Sequence, residues 1–263
     1  MPFLEIRTTV DSVMPYDAHF HAEFSLGIIL EGKTHFFLEG TPYTAKAGDI
    51  VLIAPGQVHS CNPVGGLPRS YHMLFFSGAW FEERITKPVW GCRIPVLKQP
   101  VISSAGLYAE AMALIEASDA DTTGIVEKRL AALLHSALRR ADAGPAPEEA
   151  DARRKRIPTL SSELQSADGA APCPINQLAA KANMRRESFS RLFRRKTGLP
   201  PKAYQHCLRI EKGRRLLRQG KSIAEAALEA GFTDQSHFHR MFVRLCSATP
   251  GCYRKNRSHS YKK

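Results

Sequence analysis

The chain of 263 residues lacks any apolar run close to the roughly 20 residues that a membrane-spanning helix requires. Its first residues also lack a basic start followed by a long apolar core, which a secretory signal would have. We therefore expect a cytoplasmic protein that does not bind membranes.

The six cysteines lack the pattern of a disulfide framework or a zinc site, because they are scattered and none form a C-x-x-C pair. A G-x-S-x-G nucleophile motif is also missing. We expect reduced thiols, no metal, no cofactor and no enzymatic activity.

Acidic residues are scarce in the second half of the chain. Residues 151–263 hold 25 lysines and arginines against 8 aspartates and glutamates, whereas residues 1–150 hold 12 against 17. This asymmetry indicates a polyanion partner for the C-terminal half alone.

The first hundred residues have the pattern of a β-protein. Short apolar segments at 25–30, 34–38, 49–53 and 71–76 lie between glycine and proline turn signals. Many short strands at close spacing predict a sandwich or a barrel.

The apolar period then changes to that of a helix. Residues 103–117 and 122–140 carry apolar side chains at helical spacing, which predicts two amphipathic helices. Such a pair either packs on the β-domain or joins two chains, and we expect at least one of the helices to serve dimerisation. The segment 142–152 is rich in Ala, Pro, Gly and acids and is predicted to be a linker.

The C-terminal half contains an internal repeat with an offset of 49 residues. In each copy a short helix precedes a residue that tolerates positive φ, Asn183 or Gly231, and a second helix follows. Thr233 and Asp234 are N-cap candidates in the second copy. This order predicts two helix-turn-helix units, joined by a connector helix at residues 201–218. The residues that recur are Phe189, Arg191, Phe193 and Arg195 as Phe238, Arg240, Phe242 and Arg244.

Over residues 175–254 the chain resembles the AraC/XylS family of transcriptional regulators. The resemblance implies a regulator that reads double-stranded DNA, more often activates transcription and contacts RNA polymerase. The chain departs from the family pattern at Asn183 and at Gly213. A glycine inside a helix costs about 1 kcal/mol, so we expect a locally weaker connector. The motifs that carry the resemblance are Arg191, Leu192, Phe193, Lys196, Thr197, Gly198 and Pro200, and then Gly231, Phe232, Asp234, Ser236, Phe238, Arg240, Phe242, Thr249, Pro250, Tyr253 and Arg254.

By position, the resemblance assigns DNA contacts to both second helices. Arginine can pair with guanine, glutamine with adenine, and glutamate can accept from cytosine, with a phosphate contact or plain solvation as the alternative for each. The candidates are Arg185, Arg186, Glu187, Ser190 and Arg191 in the first unit and Gln235, Ser236, His239 and Arg240 in the second. Sequence-independent attraction to phosphates is expected from Arg195, Lys181, Arg194, Lys202, Arg214 and Arg215.

Three histidines stand out in the N-terminal half. His19 and His21 form an H-x-H pair, and His59 ends a G-D…P-G-x-x-H segment, a pattern that resembles the cupin barrel and the cupin-like sensor domain of many AraC-type regulators. In metal-binding cupins a glutamate ligand follows the H-x-H pair and would fall here near Ser25 or Leu26. Glu23 follows His21 by only two residues and is therefore too close to match that position. We therefore expect His19, His21, Glu23 and His59 to bind an organic effector, with a metal site, or polar residues without a ligand role, as the alternatives.

The sequence thus predicts a multidomain β + α chain. A cupin-like β-barrel at 1–100 is followed by the helical pair at 101–141, the linker at 142–152 and an all-α domain with two helix-turn-helix units at 153–263. We expect a homodimeric, sequence-specific regulator controlled by a small-molecule effector in the barrel. The alternatives are a regulator without an effector, controlled by abundance or a protein partner, and, remotely, a metal-dependent cupin enzyme.

Overall fold

The computed structural model describes residues 3–119, 123–148 and 173–255. The N-terminal half contains an antiparallel five-stranded sheet in the order β1-β7-β2-β5-β9, a three-stranded sheet β4-β3-β6 and a short pair β8-β10. All four predicted apolar segments lie within strands. The strands are β1 (Leu4–Ser12), β2 (Phe24–Glu31), β3 (Lys33–Leu38), β4 (Thr41–Lys46), β5 (Asp49–Ile53), β6 (His59–Pro63), β7 (Arg69–Phe76), β8 (Pro95–Val96), β9 (Val101–Ser103) and β10 (Gly144–Pro145).

The strands β2 and β5 are buried on both faces, which explains their continuous apolar sequences. Successive side chains point to opposite faces of a strand. Ile50 and Leu52 therefore join the core outside the five-stranded sheet, whereas Val51 and Ile53 join the core between the two sheets. The two sheets thus face each other as a barrel with an apolar interior.

Helices cover the outer face of the five-stranded sheet. The apolar side chains of α3 and α4, among them Leu107, Leu114, Leu130 and Leu134, lie in one core with the outward side chains of the sheet. The chain therefore uses the apolar stripes of both helices for its own core, and the expected dimerisation stays a prediction that concerns their outer faces. The helices of this half are α1 (Gly78–Phe81), α2 (Lys87–Trp90), α3 (Ala105–Asp119) and α4 (Thr123–Arg140), with a π-helical turn at Glu82–Thr86.

The structure differs from the predicted linker at its first residues. The strand Gly144–Pro145 pairs with Pro95–Val96, and Ala146 is fully buried and donates its backbone N–H to Ile94 O at 3.0 Å. Tertiary pairing thus holds a segment whose composition is typical of a linker. Parts of the predicted elements lie outside the described residues. They are residues 1–2 of the barrel, residue 122 of the second helix, residues 149–152 of the linker, and residues 153–172 and 256–263 of the DNA-binding domain.

The C-terminal half is helical, and its turns follow the local signals in the sequence. Asn183 has φ 52° and Gly231 has φ 84°, so both occupy the left-handed region expected of the turn residues. Asp234 is the N-cap of the second helix of the second unit, and its side chain accepts from the backbone N–H of His237. No helix of the described ranges is long and apolar enough to cross a membrane. The helices are α5 (Ile175–Lys181), α6 (Arg186–Thr197), α7 (Pro201–Arg218), α8 (Ile223–Glu229), α9 (Gln235–Cys246) and α10 (Pro250–Lys255).

The connector α7 has the predicted bounds and forms the centre of this half. Tyr204, Ile210 and Leu217 are buried in one core with side chains of the other helices. A Cβ atom at Gly213 would lie 2.6 Å from Cε2 of Phe238, which is fully buried. The glycine that was expected to weaken α7 therefore allows α9 to pack against it.

Candidate functional site: two exposed recognition helices and an interdomain cavity

The second helices of the two units, α6 and α9, turn their aromatic side chains inward and their polar side chains outward. Phe238 and Phe242 are fully buried, and Phe189 and Phe193 pack against the same core. Ser190 is half-buried. The other nine candidates for DNA contact are exposed: Arg185, Arg186, Glu187, Arg191, Arg195, Gln235, Ser236, His239 and Arg240.

The predicted phosphate contact of Arg214 is wrong. Its side chain is only 3% exposed and lies in the interface with the barrel, where it pairs with Glu23 and Glu211. Lys181, Arg194, Lys202 and Arg215 are exposed, as an electrostatic role requires. The sequence could not reveal the difference, because Arg214 and Arg215 are neighbours with the same charge.

Arg209, which the sequence analysis did not single out, positions the second unit. Its guanidinium lies over the ring of Phe232, 3.8 Å from the centroid, and donates to the carbonyl oxygens of Ala230 and Gly231. These carbonyls follow the last turn of α8, where helices leave oxygens without helical partners. Burial lowers the pKa of Arg209. The connector thus fixes the turn that precedes α9.

The interior of the barrel contains a cavity that the strands line with every second residue. On β7 the lining residues are Arg69, Tyr71, Met73 and Phe75, which share one face of the strand. The volume of the cavity is about 80 Å³.

The C-terminal half closes this cavity. Cys207, Ile210 and Arg214 of α7, and Leu245 and Cys246 at the end of α9, line it together with the barrel residues. A molecule in the cavity would therefore contact both halves of the chain.

The structure brings His19, His21 and His59 together at the cavity. The ring centroid of His59 lies 4.3 Å from that of His19 and 4.8 Å from that of His21. Each Nδ1 bonds a backbone carbonyl, those of Asp17, Glu23 and Gln57 respectively, at 2.7–2.8 Å. A carbonyl only accepts, so each Nδ1 carries the proton and each Nε2 is an acceptor.

These histidines are neutral at physiological pH. Burial lowers the pKa of His19 to about 4 and that of His21 to about 3, and it lowers the pKa of His59 well below its usual value. Among the described residues, no group of three His, Cys, Asp or Glu side chains has an arrangement that could hold a metal ion. The cluster offers hydrogen-bond acceptors and no positive charge.

The structure does not bring Glu23 to the barrel cavity. Its carboxylate is held by the C-terminal half, with Oε1 2.5 Å from Arg218 Nη2 and Oε2 3.3 Å from Arg214 Nη1. Burial by itself would raise the pKa of Glu23, but Arg214 and Arg218 outweigh it and hold the pKa far below its usual range. Glu23 is therefore a charged link between the two halves of the chain.

Further contacts complete the interface. Phe20, which precedes β2, is 3% exposed and packs in the core of the C-terminal half, with its ring centroid 4.6 Å from that of Tyr204. Tyr253 accepts from Arg218 Nε at 2.8 Å and donates to Glu5 of β1 at 3.2 Å. The two halves are thus joined by an aromatic anchor and by a buried charge network.

Sequence reasoning missed the cavity arginines Arg7 and Arg69 and the anchor Phe20. The alternation of β7 carries a signal for Arg69, because it shares a face with Tyr71 and Met73. Phe20 has no such signal, since its partner Tyr204 comes 184 residues later in the chain.

Comparison with known proteins agrees with this architecture. The family model described as "AraC-like ligand binding domain" matches residues 11–154, and the model described as "Helix-turn-helix domain" matches residues 178–256. YbfI, an uncharacterized HTH-type transcriptional regulator of Bacillus subtilis, is 25% identical over 224 residues, which are 83% of this chain and 80% of that protein. The HTH-type transcriptional activator RhaS of Klebsiella pneumoniae is 24% identical over 255 residues, which are 92% of this chain and 88% of that protein.

A solved structure with the same fold is that of ToxT from Vibrio cholerae bound to an unsaturated fatty acid. It has a TM-score of 0.61 at 14% identity and covers 95% of this chain and 94% of that chain. This likeness concerns the fold alone. Because one family model matches more than half of the chain and the other matches both helix-turn-helix units, the chain belongs to the AraC family: it is a DNA-binding transcriptional regulator with an N-terminal cupin-like ligand-binding domain.

Proposed function

We propose that a small-molecule effector in the barrel cavity controls the DNA binding of this regulator. The observation that carries the proposal is that both halves of the chain line the same cavity, His21 and His59 from the barrel and Ile210 and Leu245 from the DNA-binding half. A ligand shifts an equilibrium only by its difference in affinity for the two states. A ligand that contacts both halves loses or gains contacts when the halves move relative to each other. Its affinity therefore differs between the two arrangements.

The interface offers a route from the cavity to DNA. His21 lines the cavity, and its neighbours Phe20 and Glu23 hold the DNA-binding half through its core and through Arg214. A ligand that displaces the His21 segment would loosen both contacts. Effector and DNA then influence each other reciprocally.

We propose that α6 and α9 read base edges in two successive major grooves, about 34 Å apart. Arg191 and Arg240 are the pair that recurs in the repeat, and both are exposed. A bidentate contact of arginine to guanine is worth about 1–3 kcal/mol of discrimination.

We further propose that the protein acts in the cytoplasm, as a homodimer that contacts RNA polymerase and activates transcription. The name of the relative RhaS, a transcriptional activator, supports activation. Ile125, which is 53% exposed on α4, offers an apolar contact on the outer side of the helical pair. Sedimentation of the full chain at several concentrations tests the dimer, and the variant Ile125→Glu should shift it toward the monomer.

The DNA-reading part is tested by binding full-length protein to a genomic fragment library at two salt concentrations and sequencing the retained DNA. We expect a motif with two half-elements about one helical turn apart. Arg191→Ala and Arg240→Ala should each weaken specific binding by about 1–3 kcal/mol and leave random DNA nearly unaffected. Arg139→Ala on α4 is the matched control. Equal losses on specific and random DNA would assign these arginines to phosphates instead.

Effector control is tested by thermal shift with a metabolite panel. An effector at 100 times its Kd adds about 2.7 kcal/mol to the stability of the protein. The same compound must change the affinity for the retrieved DNA, and His59→Ala must remove that response while the affinity without effector persists. A broad panel with neither a shift nor a change in DNA affinity would leave a regulator without an effector.

A further inference from the structure

Arg69 is a buried cation whose charge lacks an acidic partner in the described residues. The residue is 1% exposed, and its Nη2 donates to the carbonyl oxygens of Cys61 at 2.7 Å and Met14 at 3.4 Å. Its Nη1 is buried without a hydrogen-bond partner there. A guanidinium stays protonated in proteins, and an isolated buried charge is costly. The site thus has a positive charge and a free donor.

The groups around Arg69 do not supply a negative charge. Tyr16 and Tyr71 have their rings 5.8 and 5.5 Å from the guanidinium, and their hydroxyls bond each other. Burial raises the pKa of Tyr16 well above its usual value and that of the Cys61 thiol to about 12, so both stay protonated at neutral pH. The counter-charge of Arg69 is therefore left to a ligand.

Arg7, the second buried arginine on the cavity, differs from Arg69 in this respect. One of its nitrogens, Nη2, is also buried without a hydrogen-bond partner in the described residues, but its Nε lies 2.5 Å from Glu5 Oε1. Glu211 lines the cavity too, and its carboxylate accepts from Arg214. These charges are balanced within the protein, whereas that of Arg69 is not.

Most of the surface that lines the cavity is apolar, although the three histidines, Arg7, Glu211 and Arg214 also reach it. Ile29, Val51, Ile53 and Met73 contribute aliphatic and thioether surface. The cavity volume of about 80 Å³ is small, which restricts the cavity to compact ligands. An acid of the size of benzoate or hexanoate matches this space.

We infer that the effector is a small apolar organic acid whose carboxylate binds Nη1 of Arg69 and whose body lies against Ile29, Val51, Ile53 and Met73. The inference rests on the proposed function, because it names the chemical class of the ligand in the same cavity. A carboxylate on a guanidinium forms charge-assisted hydrogen bonds, and burial strengthens them.

The test uses the full-length protein with benzoate and hexanoate as probes, and with benzamide and hexan-1-ol as neutral counterparts of the same shape. Calorimetry should show binding of the acids and at least tenfold weaker binding of the neutral molecules. Arg69→Gln should weaken the binding of the acids at least tenfold, while Arg129→Gln, an exposed arginine on α4, should leave it unchanged. Arg69→Lys retains the charge and should retain part of the affinity, so it carries the test if Arg69→Gln fails to fold.

Equal affinities for the acids and their neutral counterparts, unchanged affinity of a folded Arg69→Gln variant, or no binding of either acid at millimolar concentration would each overturn the inference. Its failure is distinguishable from that of the proposed function. If the acids bind through Arg69 but leave the affinity for DNA unchanged, the result supports an acid as the ligand and contradicts effector control of DNA binding. If a neutral compound binds in the barrel and changes DNA affinity, effector control stands and the acid class falls.

Discussion

Mild acid should destabilise this protein through the buried histidines of the cavity. His21 and His59 are each 4% exposed, and burial lowers the pKa of His21 to about 3 and that of His59 well below its usual value. An unfolded histidine titrates near pH 6.5. The folded-state pKa of these histidines is depressed. The stability that the two neutral imidazoles contribute is therefore fully present above about pH 6.5 and is lost as the pH falls toward the folded-state pKa.

The size of the effect follows from proton linkage. Between about pH 6.5 and the folded-state pKa, each of the two histidines lowers the free energy of unfolding by about 1.4 kcal/mol for every unit by which the pH falls. At about pH 5.5 the two histidines together should have lowered the free energy of unfolding by about 3 kcal/mol relative to neutral pH. This is a large part of the roughly 5–15 kcal/mol typical of native proteins. His19 is half-buried and adds in the same direction.

Urea denaturation of the full chain at about pH 7.5 and pH 5.5 measures this loss. The double variant His21→Gln/His59→Gln removes both titrating groups and should lose about 3 kcal/mol less between the two pH values than the wild type. His35→Gln, on an exposed position of β3, is the matched control and should behave as the wild type. If the double variant and the wild type had the same pH dependence, the two imidazoles would take up protons in the folded state, and burial would not hold their pKa values below the usual value.

Three substitutions test the packing and the domain contact. Gly213→Ala should gain about 1 kcal/mol of helix propensity but lose about 1–3 kcal/mol to the contact of its methyl group with Phe238, so a higher melting temperature would contradict the packing explanation. Phe20→Ala should cost about 3–5 kcal/mol and lower the melting temperature of the DNA-binding half, although the residue belongs to the barrel segment, and an unchanged transition of that half would remove Phe20 from its core. Glu23→Gln should cost about 2 kcal/mol in urea denaturation at neutral pH by leaving Arg214 with fewer charge-assisted bonds, and an unchanged stability would mean that Glu211 alone suffices.

The elements that sequence reasoning predicted depend on neighbours along the chain. Asn183, Gly231 and Asp234 were identified as turn and cap residues because their φ preferences and side-chain acceptors act within a few positions. The structure confirms all three. The bounds of α7 were predicted for the same reason, since helical periodicity is a local property.

Residues whose role depends on distant partners were not predictable in this way. The sequence did not show that Arg214 is buried while Arg215 is exposed. It also did not show that Glu23 pairs with arginines and does not reach the effector cavity. The neighbours of these residues along the chain carry no information about what packs against them. Gly213 was interpreted as a weak point for the same reason, whereas its meaning comes from the ring of Phe238 on another helix.

The sequence by itself determined the class of the protein: a barrel of short strands, two helix-turn-helix units and a basic half suited to DNA. These follow from periodicity, repeat and charge, which are written in local order along the chain. Only the tertiary structure decided where the two halves meet, that both of them line the barrel cavity and that Arg69 is buried there without a counter-charge in the described residues. The physical reason is that burial and ion pairing depend on distances in space, and in this chain they join residues of the first strands to residues of the last helices.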